Sequence, residues 1–281
     1  MELIKTNTLN YFYRSANNHE PAKGNVLFIH GYHASPHYFF LVDKYFKDYN
    51  CYYLGLPGHG LTSSTILSKI SIVEMAKIIT EFVEQENLND FYLIGHSLGG
   101  AIGCLVNSMI PQKIKKLVLM NSYYEGFNKY LFNLIYLFPQ FLKKHPAKII
   151  ELLYYDFRNN SDINPETRFE KQSRLFHEKP SFFKNLMLNT GFNIKTKHTL
   201  KKAQRNLNNT PTLLIYGVAD KIIDAQGSYR QFNKAKNKIY QFHFRESGHL
   251  PQVEQPSAFA KKVLCFFEHN HFDEEHIECD N

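Results

Sequence analysis

Short apolar runs alternate with amphipathic periods along the chain. Six of the runs are rich in β-branched or aromatic residues and apolar on both faces, which predicts strands at Asn25–Ile29, Cys51–Leu56, Phe91–Ile94, Lys116–Met120, Thr212–Tyr216 and Ile239–Phe244. Between them, Ser71–Asn87 and Ser257–Glu268 place apolar residues on one stripe, as helices that pack on a sheet do. Two further short runs within the first fifteen residues predict a hairpin.

This alternation predicts an α/β protein with a doubly wound, mostly parallel sheet. Residues 123–207 interrupt it, because they carry helical periods and many aromatic residues but no convincing strand. We therefore expect a core domain of residues 1–122 and 208–281, with residues 123–207 inserted as a helical cap over the carboxyl edge of the sheet. Sheets of this type bind ligands at that edge, so functional residues are expected directly after strands.

Composition and charge narrow the class of protein. Of the 281 residues, 43% are hydrophobic and 21% charged, and the formal net charge is +7. The lysines occur singly or in pairs without an aromatic-flanked basic stripe, so no nucleic-acid partner is expected. No run approaches the roughly 20 apolar residues of a membrane span, and the amino terminus lacks the apolar core of a secretory signal. We expect a cytoplasmic protein without stable membrane insertion, and its oligomeric state is left open.

Neither a metal nor a cofactor is indicated. Cys51, Cys104, Cys265 and Cys279 lie far apart and form no C-x-x-C pair, so we expect free thiols rather than a zinc site or a redox motif. The histidines near the carboxyl terminus are interpreted as part of a solvated, acidic tail. Gly58-His59-Gly60 lacks the third glycine and the Lys-Ser/Thr pair of nucleotide-binding loops.

The motif with the clearest chemistry is Gly95-His96-Ser97-Leu98-Gly99-Gly100, which follows a predicted strand and precedes a helical run. G-x-S-x-G between strand and helix is the arrangement of a nucleophile elbow. The turn is so tight that the neighbours of the serine must lack side chains, and the helix amino terminus faces developing negative charge. The motif predicts Ser97 as a nucleophile.

A serine hydroxyl is a weak nucleophile and needs a base, which a carboxylate orients. His249 follows the last predicted strand, where its imidazole can reach the elbow, although a surface position is the alternative in a chain with 14 histidines. Asp220 follows Thr212–Tyr216 through a short turn and is the predicted acid. Asp224 is the main alternative to Asp220, and Glu125 is a weaker one.

Attack by an activated serine on a carbonyl group also requires donors for the oxyanion of the tetrahedral intermediate. His30-Gly31-Tyr32 follows Asn25–Ile29, and the glycine allows the backbone to turn. We expect the backbone amides of Tyr32 and Leu98 to form this oxyanion hole.

Together these residues resemble the α/β-hydrolase superfamily, over about residues 26–269 apart from the insertion. The resemblance is carried by His30-Gly31-Tyr32, Leu56-Pro57-Gly58-His59-Gly60, Gly95 to Gly100, Asp220 and Gly248-His249. The chain is similar to small esterases, lipases and lysophospholipase-like members whose helical cap follows the sixth strand. The resemblance implies that family's catalytic roles for Ser97, Asp220 and His249. One departure is Gly55, where the family often has Asp, and it concerns the anchoring of a loop.

The sequence therefore predicts a serine carboxylic-ester hydrolase that cleaves small, apolar acyl esters through an acyl-enzyme. The aromatic residues of the predicted cap are candidates for the wall of an acyl pocket. The same three side chains acting on a thioester, an amide or a carbon–carbon bond are an alternative. A hydrolase-fold protein that binds a ligand without turnover is another.

Overall fold

A computed structural model describes residues 1–16, 21–63, 70–124, 151–156, 179–207, 209–235 and 239–269. One eight-stranded sheet forms the centre of the fold, in the order β1-β2-β4-β3-β5-β6-β7-β8. Its strands are β1 (Glu2–Ile4), β2 (Tyr11–Arg14), β3 (Asn25–Ile29), β4 (Asn50–Leu54), β5 (Phe91–His96), β6 (Ile114–Met120), β7 (Thr212–Gly217) and β8 (Ile239–Phe244).

The pairing of the strands confirms the predicted doubly wound, mostly parallel sheet. β1 and β2 form the expected antiparallel hairpin, β2 pairs antiparallel with β4, and all the other pairs are parallel. The chain runs from β3 outward to β4 and then returns to β5 on the other side of β3, so the winding reverses between β3 and β5. In open α/β sheets, the crevice at the carboxyl ends of two such strands is where ligands bind.

The predicted strands agree with the structure to within one or two residues at their ends. β3 and β8 have the predicted bounds, and β5 extends two residues further, to His96. One feature differs: β8 lies at the edge of the sheet and is only partly buried, although its sequence predicted apolar cover on both faces. An edge strand pairs on one side only, so its aromatic residues are less enclosed.

The described residues include the helices α1 (Phe40–Asp43), α2 (Ile72–Gln85), α3 (Leu98–Met109), α4 (Pro180–Met187), α5 (Ile194–Arg205), α6 (Ala225–Phe232), α7 (Pro251–Glu254) and α8 (Pro256–Glu268). The predicted helix at Ser71 begins with a cap, because the Ser71 side chain accepts a hydrogen bond from the amide of Glu74. Within the described part of the chain, no helix has both the length and the apolar character needed to cross a bilayer.

Alternate residues of the central strands point to two separate cores. Leu27 and Ile29 of β3 pack into the core that contains α2, α3 and α5, whereas Val26 and Phe28 pack with α1 and α8. All four side chains are fully buried. Burial of an aliphatic or aromatic side chain of this size contributes about 1.5–3 kcal/mol. The two layers hold the carboxyl ends of the strands in fixed positions.

The predicted cap is described only in part. Residues 123–124, 151–156 and 179–207 are described, and they contain α4, α5 and no strand. Leu200 and Ala203 of α5 belong to the same core as α3, so this helix covers the sheet itself. Most of the aromatic residues interpreted as pocket wall lie outside the described residues, and the division into core and cap stays a prediction.

The cysteines differ from the sequence-based expectation at one position. Cys51 and Cys104 are free and buried, as expected. Cys265 is disulfide-bonded, so the expectation of free thiols is wrong for this residue. Separation along the sequence does not limit which thiols meet in the fold. Cys279 lies outside the described residues.

Candidate active site

Ser97 occupies the sharp turn between β5 and α3. Its backbone has φ 53° and ψ −117°, a conformation that costs free energy for any residue with a side chain. The Ser97 amide donates to the carbonyl of Met120 at 2.9 Å, and the Tyr123 amide donates to the carbonyl of Ser97 at 2.9 Å. The turn is therefore bonded on both sides to the segment that ends β6.

The glycines around Ser97 are required by close packing. A side chain at Gly99 would overlap the carbonyl of Ile29 at the end of β3, and one at Gly95 would come within 2.5 Å of the carbonyl of Gly99. Strand and helix can approach this closely only without these side chains. The G-x-S-x-G pattern is thus explained by the local geometry of the elbow.

The structure brings Asp220 and His249 into direct contact. Nδ1 of His249 lies 2.8 Å from Oδ2 of Asp220, and the two side chains are 5% and 2% exposed. The other carboxylate oxygen of Asp220 accepts hydrogen bonds from the amides of Ile222 at 2.7 Å and Ile223 at 3.0 Å. These amides fix the carboxylate, and the carboxylate in turn fixes the orientation of the imidazole ring.

The two alternative acids have other positions. Asp224 is at the start of α6, where its Oδ1 accepts from the amide of Gln226 at 3.1 Å, and its side chain is 56% exposed. Its remaining oxygen receives the hydroxyl of Tyr124 at 3.4 Å. Glu125 lies outside the described residues. Asp220 is the carboxylate for which a contact with His249 is observed.

His96, the residue before Ser97, links the elbow to the loop that carries His249. Its Nε2 donates to the backbone carbonyl of His249 at 2.8 Å, and the two ring centroids are 4.7 Å apart. Burial holds the pKa of His96 well below the ordinary value for histidine, so the ring is neutral. Because His96 is adjacent to Ser97, this bond brings the elbow and the His249 loop together. His96 occupies a variable position of the G-x-S-x-G motif, so the motif predicted no role for it.

Asn121 is a second residue of the candidate site for which no sequence motif predicted a role. It directly follows β6 with a left-handed φ of 42° and is fully buried. Its Oδ1 accepts from the amide of Gly217 at 2.9 Å, and its Nδ2 donates to the carbonyl of Gly248 at 3.1 Å. One side-chain amide therefore connects the turn leading to Asp220 with the residue before His249.

The segment after β3 packs directly on the elbow. A Cβ atom at Gly31 would lie 3.0 Å from Cβ of Ser97, so only glycine fits there without movement. His30 holds this segment, because its Nδ1 donates to the carbonyl of Gly31 at 2.8 Å while its Nε2 accepts from the amide of Leu56 at 3.1 Å. Tyr32 follows Gly31 at the end of this bonded turn.

Leu98 is the first residue of α3. The first amides of a helix have no carbonyl partner within the helix, and they lie at the positive end of its dipole. Tyr32 and Leu98 thus follow Gly31 and Ser97, which lie so close together that a Cβ atom on Gly31 would be 3.0 Å from Cβ of Ser97. The positions of both predicted donors are compatible with an oxyanion hole at this point.

Aromatic side chains form a wall beside this region. Phe183 of α4 packs against the rings of Tyr32, His33 and His59, and its carbonyl accepts the hydroxyl of Tyr32 at 3.2 Å. His59 is 1% exposed, its Nδ1 donates to the carbonyl of Pro57 at 3.0 Å, and burial lowers its pKa to about 4. α4 thereby contributes an apolar surface next to the predicted oxyanion donors.

The departure at Gly55 has a structural explanation. A side chain there would lie 2.7 Å from Leu61, so the loop leaves no room for Asp. The loop is anchored by other groups: Thr62 Oγ1 donates to the carbonyl of Gly55 at 2.5 Å, and the Asn10 side chain donates to the carbonyl of Leu61 at 2.8 Å. The anchoring that the resemblance left in doubt is thus provided by Asn10 and Thr62.

Comparisons with known proteins agree with this fold. The α/β-hydrolase fold family matches residues 24–256. A candidate esterase/lipase of Mycoplasma genitalium is 27% identical over 259 residues, covering 88% of this chain and 90% of that protein. Monoacylglycerol lipase ABHD6 of Mus musculus is 26% identical over 274 residues, covering 91% of this chain and 78% of that protein.

Solved structures show the same architecture. A candidate lipase from Acinetobacter baumannii superposes with a TM-score of 0.76 at 22% identity, over 95% of this chain and 90% of that chain. The 2-hydroxy-6-oxo-6-phenylhexa-2,4-dienoate hydrolase of a Rhodococcus species superposes with a TM-score of 0.73 at 18% identity, over 95% of this chain and 99% of that chain. The chain is therefore a hydrolase that belongs to the α/β-hydrolase fold family, with relatives by sequence that are named esterases and lipases.

Proposed function

We propose that this hydrolase cleaves small, apolar carboxylic esters with Ser97 as nucleophile, His249 as base and Asp220 as the orienting acid. The observation that carries the proposal is the buried contact of 2.8 Å between His249 Nδ1 and Asp220 Oδ2. In a neutral imidazole whose Nδ1 donates to Asp220, Nε2 is the ring nitrogen that can accept a proton from a hydroxyl. The strained turn of Ser97 supports the same assignment.

The reaction runs in two halves. Ser97 Oγ attacks the ester carbonyl carbon as His249 Nε2 takes the hydroxyl proton, and the resulting oxyanion is stabilised by the amides of Tyr32 and Leu98. Collapse breaks the bond to the alkoxy oxygen, which leaves as the alcohol with the proton from His249. Water, deprotonated by His249, then attacks the acyl-enzyme, and the acid departs as the proton returns to Ser97.

The choice of an apolar ester rests on the surroundings of the site. The wall of Tyr32, Phe182 and Phe183 offers aromatic surface, and ligand pockets are mostly apolar with a few fixed polar groups. The names of the relatives, esterase/lipase and monoacylglycerol lipase, support an ester rather than an amide. The cytoplasmic location expected from the sequence stays a prediction, as does the restriction to a small-molecule partner.

Labelling with a fluorophosphonate tests the nucleophile without knowledge of the natural substrate. We expect mass spectrometry to locate the adduct on Ser97, and Ser97→Ala to lose both the adduct and about 10⁴-fold or more of kcat toward p-nitrophenyl butyrate. Ser108→Ala is the matched control. Ser108 lies on the same helix, and the hydrogen bond observed for its hydroxyl is to the carbonyl of Leu105. Undiminished turnover in Ser97→Ala would refute the proposal.

Matched substrates test the bond that is cleaved. We expect the wild type to hydrolyse an ester faster than the thioester or anilide of the same acyl group. A preference for the thioester or the anilide would leave the proposed roles of the three side chains unchanged, but it would replace the ester as the substrate class. A wild type that neither turns over nor becomes labelled, although it is folded, would instead favour a ligand-binding protein.

A further inference from the structure

Glu254 is a carboxylate beside the proposed base that the reaction as described does not use. It lies at the end of α7, five positions after His249, and is partly buried. Its Oε2 accepts hydrogen bonds from the Ser247 hydroxyl at 2.9 Å and the Gly248 amide at 2.8 Å. Its Oε1 accepts from the amide of Tyr155 at 2.5 Å. The carboxylate therefore joins the His249 loop to a segment of the predicted cap.

The same two segments meet a second time. The amide of His249 donates to the carbonyl of Leu153 at 2.8 Å. A side chain at Gly248 would lie 2.8 Å from that carbonyl, so glycine is needed where the segments touch. Residues 153–155 thus run along the His249 loop, bonded to it directly through Leu153 and indirectly through Glu254.

Among the described residues, the groups that hydrogen-bond the Glu254 carboxylate are donors. They are the Ser247 hydroxyl and the amides of Tyr155, Gly248 and Leu250. A carboxylate is an acceptor with room for all of them, whereas a glutamine of the same shape presents one acceptor and turns an NH₂ group toward the remaining donors. Burial raises the pKa of Glu254 above its ordinary value, while these hydrogen bonds act in the opposite direction.

The backbone around His249 is held from several directions. His96 binds the carbonyl of His249, Asn121 binds the carbonyl of Gly248, and Leu153 binds the amide of His249. Glu254 binds Ser247 and Gly248, and it is the acidic residue among these four. A neutral side chain would be sufficient to end a short helix. A partly buried acid at this place therefore indicates a further role, which is to hold the His249 loop in position.

We infer that Glu254 is a positioning residue that fixes residues 247–249 against the segment 153–155 and thereby holds the His249 imidazole on Asp220. The inference rests on the proposed role of His249 as base. Small displacements of a catalytic group reduce the rate strongly, with 1 Å costing about 10²-fold. Glu254 acts on the reaction only through the main chain of this loop and touches no reacting atom.

The test compares Glu254→Gln with Glu246→Gln. Both changes remove one carboxylate from the same region, and Glu246 is exposed. For Glu254→Gln we expect a kcat toward p-nitrophenyl butyrate that is about 10- to 100-fold lower, with KM changed by less than about threefold. We expect Glu246→Gln to retain the wild-type kcat.

A proton NMR spectrum separates positioning from a purely structural role. The proton shared by His249 Nδ1 and Asp220 should give a low-field resonance in the wild type, and we expect it to shift or broaden in Glu254→Gln while the melting temperature and circular dichroism still show a folded protein. An unchanged resonance together with an unchanged kcat would overturn the inference. The inference would also be overturned if kcat fell only because the variant unfolds, while the folded fraction kept the wild-type resonance.

A second variant keeps the test decisive if Glu254→Gln does not fold. Ser247→Ala removes one donor to the carboxylate, and we expect a smaller change of the same resonance in the same direction. No change in this resonance would overturn the inference. The resonance does not depend on turnover. An inactive wild-type protein with a normal resonance would therefore reject the proposed function. The role of Glu254 would still be tested by comparing the spectra of the wild type and the variants.

Discussion

Nε2 of His96 lies 2.8 Å from the backbone oxygen of His249, so a side chain of the elbow holds the main chain of the proposed base. The bond joins residues 153 positions apart in the sequence. It places the turn of Ser97 and the loop of His249 in one hydrogen-bonded unit. The relative position of the proposed nucleophile and the proposed base is therefore set by a neutral, buried ring as well as by the packing of the sheet.

His96→Phe removes this bond while keeping a ring of similar size. We expect the free energy of unfolding to fall by about 1–3 kcal/mol, because the carbonyl of His249 loses its partner in a buried place. We also expect kcat to fall about tenfold or more as the loop becomes less fixed. Urea unfolding and ester hydrolysis measure the two effects.

The control is His198→Phe on the exposed face of α5. It should leave both kcat and the free energy of unfolding close to those of the wild type. If His96→Phe behaves like this control, the bond to His249 has no role in holding the site.

Asp220→Asn and Asp224→Asn distinguish the two candidate acids. Asp220 accepts the Nδ1 proton of His249, and an amide in its place neither stabilises the imidazolium nor fixes the tautomer, so we expect kcat to fall by about 10³- to 10⁴-fold. Asp224 caps α6 and is largely exposed, so Asp224→Asn should keep kcat within about threefold of the wild type. Steady-state kinetics on one ester compare them, and a reversed order would assign the acid to Asp224.

Asn121→Asp tests the side chain that links the turns of Asp220 and His249. The change keeps the shape and the left-handed backbone but removes the donor to the Gly248 carbonyl and sets a carboxylate oxygen against it. A buried acceptor without its donor costs about 1–3 kcal/mol, and we expect that loss in chemical denaturation together with a lower kcat.

Asn209→Asp is the matched control for this change. Asn209 has a similar φ of 62° but is exposed. It should leave the free energy of unfolding within about 0.5 kcal/mol of the wild type. Equal effects at the two positions would mean that the bonds of Asn121 do not matter for the site.

The sequence indicates those parts of the candidate site that depend on local chain geometry. The G-x-S-x-G pattern around Ser97 is explained by a strand, a tight turn and a helix. Gly31 likewise follows a strand at a place where the chain has to turn. Asp220 and His249 were expected near each other because parallel strands end at the same edge of a sheet. Their contact of 2.8 Å agrees with that expectation.

The sequence did not reveal the residues that hold these parts together. Asn121 and Gly248 are 127 positions apart, and an asparagine after a strand has many ordinary explanations. Glu254 lies in a short helix, where a glutamate usually faces solvent. Which donors surround such side chains follows from tertiary packing, and no local pattern of the chain encodes it.

Acid should weaken the fold through its buried histidines. His30, His59 and His96 are at most 3% exposed, and burial lowers the pKa of each below the ordinary 6.5. Below pH 6.5 the unfolded chain binds a proton at each histidine while the folded chain does not, so stability is present above this pH and is lost as the pH falls. For His59, whose pKa is about 4, the loss between pH 6.5 and pH 5 is about 2 kcal/mol.

His59→Gln should therefore lose less stability than the wild type between pH 6.5 and pH 5, by about that amount, even if it is less stable at neutral pH. His198→Gln, at an exposed position, should keep the wild-type dependence on pH. Urea unfolding at several pH values gives the slopes. Identical slopes for all three proteins would show that His59 is protonated equally well in the folded and unfolded chains, which contradicts its burial between Tyr32, Phe182 and Phe183.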